Sequence, residues 1–209
     1  MHMRLKLTSR WTTMTLCYLL LAMLLVACGA TGTGSATSPS TPASTPTTST
    51  PASTPATMTN LSGNGFTMSY PQNWQLTRSG AHLITLVDST HTMKFDITVV
   101  PDPNETITAA SLVDTGTKAV SAALKNSQTV SMPPTATIGG ESWTQKSVSG
   151  AQRLNNADTI IQAVVAANVH PSKAPASKGF TIDYRAPQSS FDSANTTYFQ
   201  PMLQSFKFV

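Results

Sequence analysis

Apolar and polar residues alternate along the chain in several short runs, each bounded by residues that turn or end a strand. Phe66-Thr67-Met68-Ser69-Tyr70 alternates up to Pro71, and Lys94-Phe95-Asp96-Ile97-Thr98-Val99 does so more cleanly, with Phe95, Ile97 and Val99 on one face. Both are predicted strands with one side toward a core. His82 to Val87 is rich in apolar residues and is followed by the turn formers Asp88-Ser89-Thr90-His91, so a hairpin should join it to the strand at 93–100.

After Pro101-Asp102-Pro103-Asn104 the period changes. From Thr106 onward, Ala109, Val113, Val120 and Leu124 fall on one face of a helix. Beyond Pro133-Pro134, Thr135 to Ile138 and Glu141 to Val148 flank Gly139-Gly140, a pair that accepts the positive φ of a tight turn, and two strands follow from that. Thr159 to Val169 sets Ile161, Ala163, Val165, Ala167 and Val169 on one side. Phe180, Ile182 and Tyr184 repeat the spacing after a loop over Lys173 to Gly179, which makes a long hairpin. Phe191, Ala194, Tyr198, Met202 and Leu203 trace a last helical stripe that Pro201 is expected to end or kink, and Ser205-Phe206-Lys207-Phe208 supplies a terminal strand. The sum is an α+β domain with a mainly antiparallel sheet over residues 59–209, a usual size for one domain.

The front of the chain follows other rules. Arg4, Lys6 and Arg10 stand without an acidic partner before TLCYLLLAMLLVA, an unbroken and mostly apolar run from Thr15 to Ala27. That run is shorter than the roughly 20 residues a membrane span needs, and a basic segment before a short apolar one is the pattern of an export signal, here residues 1–27. Leu25-Val26-Ala27-Cys28 matches the lipobox of bacterial lipoprotein precursors, so cleavage is expected between Ala27 and Cys28, with a diacylglyceryl thioether, and palmitate, on Cys28. Residues 28–58 are the lipidated Cys28 followed by Ala, Gly, Ser, Thr and Pro almost throughout. Such a tract cannot bury enough apolar surface to offset its chain entropy, so a disordered linker is expected, reaching at most about 90 Å at about 3.1 Å per residue.

Loss of the signal removes three of the 13 basic residues and leaves 10 against 9 acidic ones. With no basic cluster left, a nucleic-acid partner is excluded. Cys17 leaves with the signal and Cys28 carries lipid, so no disulfide is expected and the domain must rely on an apolar core.

Phe66-Thr67-Met68-Ser69-Tyr70-Pro71-Gln72-Asn73-Trp74 resembles the opening Phe-x-x-x-Tyr-Pro-x-x-Trp of PsbP-like domains, and the closing helix followed by Ser205-Phe206 is similar too. The resemblance covers residues 64–209 and implies an α/β/α sandwich around a central antiparallel sheet. Members of that family are extrinsic subunits of the oxygen-evolving photosystem or bacterial lipoproteins without known activity. The chain is closer to the second group, because it matches neither the metal-associated histidines nor the photosystem-docking amino-terminal segment. Independently of the resemblance, Pro71 should end its strand and let Trp74 fold back over the open end of the core.

Candidate chemistry is sparse. His82 and His91 are expected beside the hairpin turn near Asp88 and Asp96, and His170 stands apart, with no HxH, HExxH or Cys/His spacing to hold a metal. There is no GxSxG and no phosphate-cradling glycine loop. Paired-carboxylate chemistry would need two of Asp88, Asp96, Asp102, Glu105, Asp114, Glu141, Asp158, Asp183 and Asp192 to meet across a cleft. No catalytic, metal or cofactor residue is therefore assigned. The expectation is a non-enzymatic binding or accessory module held by lipid on the extracytoplasmic face of a bacterial membrane, with an unidentified protein or small-molecule ligand. An envelope hydrolase with dispersed residues and a structural envelope component are the alternatives.

Overall fold

The structure is a computed structural model and describes residues 57–80, 82–173 and 175–209. The expected signal (1–27), the cleavage and lipidation at Ala27 and Cys28, and the linker up to residue 56 lie outside the described residues. In chain order the elements are β1 (Met58–Ser62), β2 (Phe66–Pro71), β3 (Gln75–Ser79), β4 (Leu83–Val87) and β5 (Lys94–Pro101). There follow α1 (Ala109–Ala122), β6 (Lys125–Val130), β7 (Thr135–Ile138), β8 (Glu141–Leu154), β9 (Ala157–His170) and β10 (Lys178–Pro187). The chain ends with α2 (Phe191–Ala194), a π-helical segment (Asn195–Phe199), α3 (Gln200–Ser205) and β11 (Lys207–Phe208).

Every strand pairing is antiparallel. One sheet runs β3-β4-β5-β10-β9-β8-β6 with β7 paired to β8, and a smaller one runs β1-β2-β11. The large sheet lies between two apolar layers. Ile161, Ala163 and Val165 of β9 join Val120, Leu124 and Val148 under α1. The intervening Val164 and Ala166 join Phe180, Ile182 and Tyr184 of β10 and Phe95 and Ile97 of β5 on the other side, beneath Phe191, Phe199, Met202 and Leu203 of the carboxy-terminal helices. The fold is thus an α/β/α sandwich, in which a central strand buries both faces because helices cover each.

Local chemistry fixes the ends of these elements. Thr108 and Ser111 form a reciprocal cap at the start of α1, each side chain accepting from the other's backbone N–H. Gly139 and Gly140, at φ 62° and 83°, turn β7 into β8. Trp74 is buried against Tyr198 and Phe199, with ring centroids 5.8 and 6.1 Å away, and covers the core as its position after Pro71 predicts.

Several elements depart from the expected pattern. β1 begins at Met58, at the end of the segment assigned to the linker, and β3 and β6 were not predicted. All five residues of β3 are exposed, as are the first five of β6, so neither carries an apolar alternation. β8 and β9 extend past the expected Val148 and Thr159 to meet at an Asn155-Asn156 turn with φ 46° and 69°. Pro201 does not end the last helical stretch; it follows a π-helical irregularity within it. The Gln200 N–H reaches back five residues to Asn195 O, and this wider turn makes room for the ring, which then sits in the first turn of α3.

Candidate functional site

Alternation decides what faces α1. Phe180, Ile182 and Tyr184 of β10 enter the core, so Thr181, Asp183 and Arg185 point to the α1 side; Phe95, Ile97 and Val99 of β5 likewise leave Lys94, Asp96 and Thr98 there. The register sets Thr98 opposite Thr181, Asp96 opposite Asp183 and Lys94 opposite Arg185. Each pair matches like with like, and two carboxylates directly across a strand pair repel.

The two carboxylates resolve this differently. Asp96 Oδ1 accepts a hydrogen bond from the Thr85 hydroxyl at 2.6 Å, and Asp96 Oδ2 lies 2.7 Å from Lys94 Nζ. Asp183 Oδ1 is buried and makes no hydrogen bond. Burial pushes the Asp183 carboxyl up to about 6; the charge of Arg185 opposes that rise, Asp96 adds to it and Lys94 opposes it.

Helix α1 makes its contacts with β6, β8, β9 and β10, and beside it a groove of about 250 Å3 runs over β5 and the end of β4. Asp96, Asp183 and Arg185 line the sheet side of the groove, and Gly116, Ala119 and Ala123 line the helix side. Gly116 permits the close approach of helix to sheet, since a Cβ there would lie 2.8 Å from Val165 Cγ1. The result is a wall of Gly116, Ala119, Val120 and Ala123 facing a charged floor, on which Asp183 has one buried oxygen without a partner.

Tyr184 is the other group pushed strongly upward, to about 12, by burial. Its ring centroid is 4.9 Å from that of Phe199 and 6.0 Å from that of Phe95. Consecutive strand residues point to opposite faces, so Asp183 and Tyr184 are separated by the sheet and cannot act on one substrate.

The histidines do not converge. His91 is exposed in the β4–β5 turn with φ 56°, but His82 is at the opposite end of β4, not beside that turn. Its Nδ1 lies 3.0 Å from Val99 O, because the antiparallel pairing carries the strand away from the turn. His170 Nδ1 lies 2.7 Å from Glu141 Oε1, and the ring is stacked on Phe208 with centroids 3.9 Å apart. It borders a second cavity of about 340 Å3 near Lys178, whose Nζ is bonded to Asn64 at 2.9 Å. Of the remaining carboxylates, Asp88 accepts from the backbone of Thr90, Thr92 and Met93 and holds the hairpin turn. Asp102 accepts from Thr106 and Ile107, and Asp114 pairs with Lys146 at 2.5 Å. Among the described residues no three His, Cys, Asp or Glu side chains are grouped to hold a metal, and no helix is long and apolar enough to cross a membrane.

Sequence reasoning counted Asp96 and Asp183 among nine carboxylates without pairing them. The signal was present in Lys-Phe-Asp-Ile-Thr (94–98) and Thr-Ile-Asp-Tyr-Arg (181–185), which align residue for residue when the strands run antiparallel.

No family model matches this chain, and no curated protein does. Among solved structures, it is similar to LpqN, involved in cell envelope biogenesis of Mycobacterium tuberculosis, at 14% identity over 73% of this chain and 91% of that one, with a TM-score of 0.46. The Ran-binding protein Mog1p of Saccharomyces cerevisiae is similar at 10% identity over 73% and 97%, with a TM-score of 0.46. A protein from Bacteroides thetaiotaomicron is similar at 12% identity over 69% of this chain and 45% of that one, with a TM-score of 0.38. Likeness at this level carries nothing about activity or partner.

Proposed function

We propose that this chain is a lipid-anchored envelope protein whose folded domain is a non-catalytic binding module, displayed outside the cytoplasmic membrane on its Ser/Thr/Pro-rich linker. The groove beside α1, floored by an Asp183 carboxyl with one oxygen unpartnered, carries the binding reading. A buried acceptor left without a donor costs stability, and a ligand that brings a donor or an opposite charge to the same carboxyl offsets part of that cost. The hydrolase alternative asks for two free carboxylates. The Asp96–Asp183 pairing approaches that arrangement, but Asp96 is tied on both oxygens by Thr85 and Lys94, which favours binding over bond cleavage.

The anchor half of the proposal rests on the lipobox. Labelled palmitate should enter the wild-type chain and not Cys28→Ala, which should leave the membrane fraction; equal labelling of both would overturn it. The binding half is tested by titrating the 15N-labelled protein with small amines, alcohols and carboxylates. Saturable shifts at residues 116–123 and 181–185 are expected, and their absence with every compound would overturn it.

A further inference from the structure

We infer that the groove between α1 and the β5–β10 strands takes a primary ammonium group on a short apolar chain, received by Asp183 and held against Gly116, Ala119 and Ala123. This rests on the binding reading above and names its ligand class.

Three observations select this chemistry. Asp183 lines the groove, and its Oδ1, closed to solvent, has no hydrogen bond, so a ligand that meets the carboxylate should bring an N–H or O–H donor. The floor carries Asp96 and Asp183 beside Arg185, and Asp96 is already answered by Lys94, which leaves Asp183 as the carboxylate open to a guest; a charge-assisted bond is about twice as strong as a neutral one, so a cationic donor is preferred to a hydroxyl. The opposing wall is built from Gly116, Ala119, Val120 and Ala123, which offers apolar contact to a few methylenes but no second polar clamp. A divalent cation fits less well. Such ions take six or more oxygen ligands, and the neighbouring carboxylate Asp96 is already engaged by Thr85 and Lys94. A quaternary ammonium brings charge without a donor and leaves the Asp183 oxygen unsatisfied.

The volume of about 250 Å3 limits the guest to a small molecule or the end of a longer one, such as a lysine side chain. Protonation of Asp183 removes the acceptor charge, so affinity should weaken as pH falls through about 6.

The test titrates the full chain in detergent with n-butylamine, n-butyltrimethylammonium, n-butanol and calcium chloride, followed by amide shifts. Butylamine should shift residues 116–123 and 181–185 saturably and bind most tightly. Asp183→Asn should weaken it by about tenfold or more, the loss expected for a charge-assisted bond. Ala119→Leu, which fills the wall from an exposed helical position and spares the core, should weaken it as well with the fold intact. Equal affinity in Asp183→Asn, or binding of the quaternary ion or calcium at least as tight as that of butylamine, would overturn the inference. If butanol shifts the groove and butylamine does not, the ligand class fails and the binding reading stands. If none of the four does, the ligand class fails, and the binding reading fails with it once the carboxylates of the first titration also shift nothing.

Discussion

Asp183 stands directly opposite Asp96 on the neighbouring strand, yet only Asp96 has its charge answered at hydrogen-bonding distance. The native state therefore holds a proton on Asp183 up to about pH 6, whereas the unfolded chain releases it near 3.8. A folded value raised above the unfolded one gives stability that is complete below 3.8 and lost as pH rises through about 6. Asp183→Asn should accordingly be more stable than wild type at pH 7, by at most about 3 kcal/mol at about 1.4 kcal/mol per unit. That advantage should vanish by pH 4. Urea midpoints of the two proteins from pH 4 to 8 provide the check, and a difference independent of pH would refute the assignment.

Asp102 works with the opposite sign. It is buried at the end of β5, and burial favours a higher value. The Ile107 and Thr106 N–H groups and the Thr106 hydroxyl outweigh that and hold the carboxyl below its ordinary range. Its contribution is present above 3.8 and disappears as pH falls through the lowered folded value. Asp102→Asn should cost stability at pH 7, and the gap from wild type should narrow only in strong acid. A gap that widens on acidification would contradict this.

Gly116→Ala sets helix propensity against packing. Alanine favours a helix by about 1 kcal/mol, but here its Cβ would meet Val165 Cγ1 at 2.8 Å and Thr181 Cγ2 at 3.4 Å. Overpacking of that kind typically costs about 1–3 kcal/mol, so a net loss of melting temperature is expected. Val165→Ala in the same chain should recover part of it, and strict additivity in the double-mutant cycle would show that the contact is not the cause.

Phe206→Ala should be among the most damaging single changes, at roughly 3–5 kcal/mol. Phe206 is 1% exposed and sits between Phe66 and Trp143, with ring centroids at 5.2 and 5.4 Å. Leu76→Ala on the exposed β3 should move the urea midpoint hardly at all, within about 0.5 kcal/mol. Comparable losses in the two variants would mean that β3 is covered in solution.

The strands whose alternation is visible in the sequence are those with at least one face on a core: β2, β4, β5, β10 and the inner halves of β8 and β9. β3 and β6 were hidden because exposed edge strands need no apolar rhythm, and the outer part of the β8–β9 hairpin because its residues 152–159 pair only with each other. Pro201 marked an irregularity but not its form: a π turn precedes the ring and the helix goes on, and nothing in composition specifies that turn. At the groove, the residues were visible and their meeting was not. Pairing Asp96 with Asp183 required knowing that β10 lies beside β5, across 76 intervening residues that fold back as α1 and four strands.

Along β9, Ile161, Ala163 and Val165 enter one apolar layer while Val164 and Ala166 enter the other. Removal of this strand would strip apolar surface from both layers, and a one-residue slip would exchange the two sets of side chains at once. The layers above and below the sheet are therefore expected to lose stability together whenever β9 leaves its place.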